Sequence, residues 1–279
     1  MSGVFVLFVD KELAKRFEGA EGDLCVQFAE ARRRLFGEDS AATMRCGGTF
    51  VSYDGVDSPM TQTFALGIFE EATETVLGEI ESFFAKRNAP VQHEVSPFAG
   101  IATLDLLASR GYKPVEIDNV LSRTVEKPDA PVGAGIEVKK VGEDDKVLWG
   151  KVNACGWTHE HPELLEFMSE IGAIAAEQKY CVSFLADYEG TPGAAGSLYV
   201  RDGVALFIGA STVPELRRRG LQSALFHERM RYAVEQGCDL AMVVAQPGSD
   251  SQRNAERNGF RVAYTRTKWK LETVADIQR

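Results

Sequence analysis

Three adjacent arginines, Arg217, Arg218 and Arg219, stand directly before Gly220 in the stretch "VPELRRRGLQSAL". Upstream, "VALFIGAST" (204–212) predicts a strand, and downstream "LQSALFHERMRYAVEQ" (221–236) predicts a helix. A strand that turns straight into a helix leaves the first helical N–H groups without partners. Those donors and the positive end of the helix dipole attract an anion. Gly220 would let such a ligand approach the main chain, and the arginines would add charge-assisted hydrogen bonds. The chemistry that fits is the holding of a diphosphate. A solvated basic turn is the competing reading.

The rest of the chain makes those arginines conspicuous. The 279 residues carry a net charge of −10. This balance argues against non-specific binding to nucleic acid or to an anionic membrane surface. Hydrophobic residues make up 44% and charged residues 26%, an ordinary globular composition. The five cysteines, Cys25, Cys46, Cys155, Cys181 and Cys238, include no CxxC pair. They argue against a disulfide framework or zinc ribbon and fit a reducing cytoplasm. No stretch approaches the ~18 apolar residues of a membrane helix. The opening "MSGVFVLFVDKELAKRF" reads as a first strand or buried turn, not as a signal peptide.

Positioning the arginine turn requires a domain around it. "TVEKPDAPVGAG" (124–135) has linker chemistry, with prolines, glycines, mixed charges and no apolar period. It divides the chain into expected domains at 1–123 and 136–279. The two halves end alike. Each has a strand, a proline (Pro97 or Pro247), a helix, a glycine–aromatic pair (Gly111-Tyr112 or Gly259-Phe260) and a closing strand. The order predicts a tandem duplication. In the second half a strand at 135–141 precedes helices at 144–157 and 161–178. Strands at 180–188, 193–203 and 204–212 then form an antiparallel meander, followed by the arginine turn, its helix and the strand "LAMVVAQ". The predicted class is an α+β layered domain.

"ALFIGASTVPELRRRGLQSAL" resembles motif A of the GNAT superfamily of N-acetyltransferases, Arg/Gln-x-x-Gly-x-Gly/Ala between a strand and a helix. Arg217 and Gly220 match it. Gln222 departs from it, standing where the family has Gly or Ala. "SDSQRNAERNGF" with "RVAYTRTKW" resembles the family's next helix and last strand. The resemblance covers about 136–271 well and the first half in outline. It implies two tandem GNAT-like domains, each a mixed, mostly antiparallel sheet flanked by helices. It implies acetyl-CoA as co-substrate and no metal. The strand near Ala210, Thr212 and Val213 would pair with the pantetheine amides. Arg217, Arg218, Arg219, Gly220, Leu221, Gln222 and Ser223 would hold the pyrophosphate, and Asn254 would approach the pantetheine or the thiol. The first half has Glu70 and Glu71 at the expected helix start, where they would repel a diphosphate. It is therefore expected to lack the cofactor and to shape the substrate cleft or the interface between halves.

Acetyl transfer to an amine needs a neutral nitrogen, although a free lysine-type amine titrates near about 10.4. A base, an acid for the leaving thiolate and oxyanion donors are the groups to find. The family's acid is a tyrosine four residues before the Gly-Phe pair, and that position is Ala255. Tyr264 is the substitute candidate acid, with a core or interface tyrosine as its simpler reading. Ser249 and Ser251 read first as helix N-caps. Glu215 is the candidate base, against a solvated loop carboxylate. His159 and His161, in "WTHEHPE", could meet a substrate but form a poor metal pair. His227, Trp149, Trp157 and Trp269 read as packing or surface residues. The function expected is acetyl transfer from acetyl-CoA to a small-molecule or peptide amine. A non-catalytic acyl-CoA sensor, kept open by Ala255 and Gln222, and a cofactor-free interaction protein are the competing readings.

Overall fold

A computed structural model describes residues 7–128, 133–158 and 165–271. The expected N-terminal strand lies mostly outside these residues, as do His159 and His161. In the part of the opening segment that is described, Phe8 is exposed and Asp10 caps the first helix. The chain forms two compact units, 1–122 with 244–279, and 123–243. The break at 122 lies beside the expected end of the first half at 123, but the segment from Val244 onward belongs with the first unit and not with the second.

The first unit contains α1 (Lys11–Phe36), β1 (Ala42–Cys46), β2 (Thr49–Tyr53), β3 (Gln62–Phe64), α2 (Glu74–Ala85), β4 (Gln92–Val95), α3 (Ile101–Ser109) and β5 (Tyr112–Thr124). The returning segment adds α7 (Asp250–Arg257) and β11 (Arg261–Leu271). The strand order is β1-β2-β3-β4-β11-β5. Strand β11 runs antiparallel to both neighbours, with Lys268 opposite Glu94 of β4 and Glu116 of β5. Two faces are visible in the alternation of β2. Val51 packs with Leu77, Ile80 and Phe84 of α2. Phe50 meets Gly22 of α1 so closely that a Cβ there would lie 2.5 Å from its ring.

Asp10 starts α1 by accepting a hydrogen bond from the Leu13 N–H. The helix buries Ala14, Phe17, Leu24, Cys25 and Phe28 along one stripe, and it buries Glu18 with them. Helix α2 starts at Glu74 behind the N-cap Thr73, so Glu70 and Glu71 precede the helix instead of opening it. The cause is local: the Thr73 hydroxyl accepts the Val76 N–H, which fixes the start there.

The second unit contains β6 (Ile136–Lys140), α4 (Lys146–Trp157), α5 (Leu165–Ala176), β7 (Cys181–Tyr188), β8 (Thr191–Arg201), β9 (Val204–Thr212), α6 (Leu221–Glu235) and β10 (Leu240–Ala245). Its strand order is β10-β9-β8-β7-β6. Strands β6 to β9 are antiparallel, and β10 is parallel to β9. Helices α4 and α6 cover opposite faces. Leu185 joins Trp149 of α4, whereas its neighbour Phe184 meets Tyr232 of α6.

The predicted repeat is present. After Pro97 and Pro247 come α3 and α7, then Gly111 at φ +87° and Gly259 at φ +85°. These left-handed positions favour glycine and end each helix. The closing strands β5 and β11 then pair with each other.

Candidate functional site

Strand β9 pairs with β10 only from Val204 to Leu206. Beyond Leu206 it keeps β8 on one side and, among the described residues of its unit, no strand partner on the other. A bulge accompanies the divergence. Between Ala195↔Ser211 and Ser197↔Ile208, β8 supplies Gly196 while β9 supplies Gly209 and Ala210. Gly209 has φ +58°, a bulge conformation suited to glycine. Helix α4 supports it: Asn153 Nδ2 donates to the Gly209 carbonyl at 2.5 Å, and Ser211 Oγ donates to the Asn153 carbonyl at 3.0 Å. Sequence reasoning missed Asn153, although a glycine inside a predicted strand is a signal for a bulge.

The chain leaves β9 through Val213 and the short 3-10 turn Pro214–Leu216. Arg218 then adopts φ +62° and Gly220 φ +89°. Leu216 and Arg217 still donate backwards, and Ala224 N–H is the next donor, to Gly220. The six N–H groups from Arg218 to Ser223 have no acceptor among the described residues. Gly220 provides no side-chain cap. An uncapped helix start of this kind is a ready anion site.

The three arginines differ in their surroundings. Arg217 reaches the carbonyls of Thr212 and Gly156, each at 3.4 Å. Arg219 lies over the Tyr188 ring at 5.4 Å, a stacking position that sequence reasoning did not anticipate. Arg218 is exposed and has no acceptor among the described residues. Gln222 explains its own departure from the motif. Its Nε2 donates to the Ser211 carbonyl at 2.8 Å and to Thr212 Oγ1 at 2.7 Å. The long side chain is thus drawn back to β9, while the Gln222 N–H stays without an acceptor.

Gly156 closes the packing between α4 and β9. A Cβ there would meet Ser211 Cβ at 2.6 Å and the Thr212 backbone nitrogen at 2.9 Å. No rotamer relieves a clash with backbone. Gly156→Ala is therefore expected to push α4 off the strand and cost about 1–3 kcal/mol. A thermal melt unchanged from wild type would contradict this packing.

The second unit therefore gathers Ala210, Thr212, Val213, Glu215 and the run from Arg217 to Ser223 along one strand–turn–helix connection. Glu215 is exposed on the short turn. Asn254 and Tyr264 belong to the first unit. Asn254 is half-buried on α7, where its carbonyl accepts from Asn258 Nδ2 at 2.8 Å. Ser249 caps that helix by accepting the Gln252 N–H, whereas Ser251 lies within the helix and is no cap.

Tyr264 is 7% exposed, and its hydroxyl donates to Glu18 Oε1 at 2.7 Å. Its ring meets Phe98 edge-on. Burial and the adjoining Glu18 carboxylate hold the phenol well above its usual range. Burial likewise pushes the Glu18 carboxyl up to about 7, against the pull of Arg266. Among the described residues, no three or more His, Cys, Asp or Glu side chains are placed so that they could hold a metal ion. None of the described helices is long and apolar enough to cross a membrane.

No known family's sequence profile matches the chain, and no curated protein does either. Solved structures do. A GCN5-related N-acetyltransferase from Kribbella flavida superposes with a TM-score of 0.68 at 18% identity, over 95% of this chain and 98% of that one. One from Sphaerobacter thermophilus gives 0.53 at 16%, over 90% and 91%. A tandem GNAT protein from the clavulanic acid biosynthesis pathway gives 0.59 at 12%, over 92% and 94%. Through both of its units, the chain has the fold of the GCN5-related N-acetyltransferases, in the α+β tandem form.

Proposed function

We propose that the protein is an N-acetyltransferase that binds acetyl-CoA at the β9–α6 connection. The acetyl group would pass to a small-molecule or peptide amine in a ternary complex. The observation that carries this reading is the run of six unpartnered N–H groups from Arg218 to Ser223, flanked by arginines. Arg218 at φ +62° adds to it, since a non-glycine residue held there costs about 1–3 kcal/mol and such strain concentrates at functional sites. Acetyl-CoA would supply the thioester. The free edge of β9 near Ala210, Thr212 and Val213 would pair with the pantetheine amides, and the uncapped turn would take the pyrophosphate.

Acid–base roles are narrower. For Tyr264 to protonate a thiolate it would first have to give up its bond to Glu18. Glu215 is a loop carboxylate open to solvent. We assign most of the acceleration to proximity and orientation, which can supply about 7–11 kcal/mol. The same absence of a ready acid favours, as the second reading, a protein that binds acyl-CoA without turning it over. Calorimetry with acetyl-CoA tests the site, and thiol release over a panel of amines separates the two readings.

One CoA is expected per chain. The matching connection in the first unit, from β3 to α2, has no arginine, and Thr73 caps its helix with Glu74 in the first turn. A carboxylate there suits the helix dipole and disfavours a diphosphate. Two equivalent sites by calorimetry would remove the distinction between the units.

A further inference from the structure

Beneath α1 the first unit holds an unbalanced set of charges, buried at Glu18, Glu94, Asp118 and Arg266 and partly open to water at Glu116 and Lys268. On β11, Arg266 is 2% exposed and forms a two-bond pair with Glu21, Nη1 to Oε2 at 2.6 Å and Nη2 to Oε1 at 2.8 Å. Its Nη1 lies 3.6 Å from Glu18 Oε2, and its Nε lies 3.2 Å from Glu94 Oε2. Lys268 bridges Glu94 at 3.1 Å and Glu116 at 2.9 Å. Asp118 of β5 stands opposite Arg266. Five carboxyl groups thus face two cations. Other ionisable neighbours are Tyr264, Cys25 of α1 and Asp54 beyond β2, the last paired with Arg32 of α1 at 2.8 Å. Glu18 Oε2 and Glu94 Oε2 have no hydrogen-bond donor among the described residues. A buried carboxylate left without a donor favours its protonated form.

We propose that the seating of β11 between β4 and β5 is coupled to the binding of one proton by this cluster, held on Glu18. With the proton, Glu18 accepts from Tyr264 through one oxygen and carries no charge on the other. Without it, Glu18 holds a negative charge that burial keeps from water, a cost larger than its attraction to Arg266, and β11, whose Tyr264 and Arg266 close over Glu18, is held less firmly.

The sign follows from linkage. A carboxyl group whose folded value is raised stabilises the folded state below its unfolded value, and that stability is lost as pH rises through the folded value. For Glu18 the window runs from 4.5 to about 7. Asp118, pushed up to about 6 by burial and by Glu94 and Glu116, acts in the same sense over a lower range. His93, on the other face of β4, is pushed down to about 3 by burial and acts oppositely below its unfolded value of 6.5. The difference between wild type and Glu18→Gln isolates the Glu18 part.

Hydrogen exchange of the β11 amides, corrected for intrinsic rate, tests the coupling. Between pH 5.5 and 7.5, wild-type protection relative to Glu18→Gln is expected to fall about twentyfold, as integration of the linkage relation gives. Equal pH dependence in the two proteins would overturn the proposal. Should Glu18→Gln not fold, the Glu18 carboxyl can be titrated in the wild type by carbon-13 NMR. A midpoint above about 6 is expected, and one below about 5 would sink the coupling. Tyr264→Phe removes a donor that favours the charged form, so the midpoint should move upward in that variant.

Discussion

Replacing Arg218 and Arg219 together by glutamate is expected to weaken acetyl-CoA binding at least about a hundredfold. A hydrogen bond to a charged group contributes about 1.5–3 kcal/mol. Both side chains are exposed at the turn, so the lower end of that range applies. Two such losses sum to about 3 kcal/mol, which is about a hundredfold in Kd. The introduced carboxylates would also repel the diphosphate. Arg217, which is tied to the carbonyls of Thr212 and Gly156, is left intact in this variant so that the turn keeps its shape. Calorimetry on the folded double variant decides the matter. Affinity within a factor of about three of wild type would move the pyrophosphate elsewhere.

The second large effect is structural. Arg266→Met should destabilise the first unit by about 3–5 kcal/mol, the range for removing one partner of a buried ion pair. Arg266 is the cation between Glu18, Glu21 and Glu94, and methionine fills the stem of the side chain but not its charge. Lys268→Met should cost less, because Lys268 is 18% exposed and Glu116 is 33% exposed, so water can take over. Urea titration followed by hydrogen exchange of β11 measures both. If Arg266→Met costs under about 1 kcal/mol, the cluster is solvated, and the account of its charge fails with it.

The arginine turn was legible because it is local: strand, cations, glycine and helix follow within a short window. The repeat was legible for the same reason, since Pro97 and Pro247 and the two left-handed glycines punctuate each copy. The role of Gln222 was not, because only packing could say whether its side chain would turn toward β9 or away. Asn153 and Gly156 were missed because their work lies across the fold, at the bulge of Gly209 and the end of β9. Glu70 and Glu71 were misplaced by one helical turn, since Thr73 competes as a cap. The charge cluster was invisible: Glu18 and Tyr264 touch, yet 246 positions separate them. Its members look like surface charges until β11 takes its place in the sheet. The expected break after residue 123 lies beside the division at 122, but the C-terminal segment could not be assigned, because a linker composition shows where a chain pauses and not which sheet its last strand joins.

The place of β11 also sets an order of assembly. Domains usually fold as they are synthesised, N-terminal first. Here residues 123–243 form a contiguous compact unit, whereas the first unit needs 244–271 to fill the gap between β4 and β5. A nascent chain ending near residue 243 would have both edges of that gap unpaired, with Glu94 and Glu116 facing each other across it and no Lys268 between them. The unit that begins first is therefore finished last. Its closure joins β11 to strands made well before it, with the whole second unit in between, and a premature stop before β11 would leave two bare strand edges open to pairing with other chains.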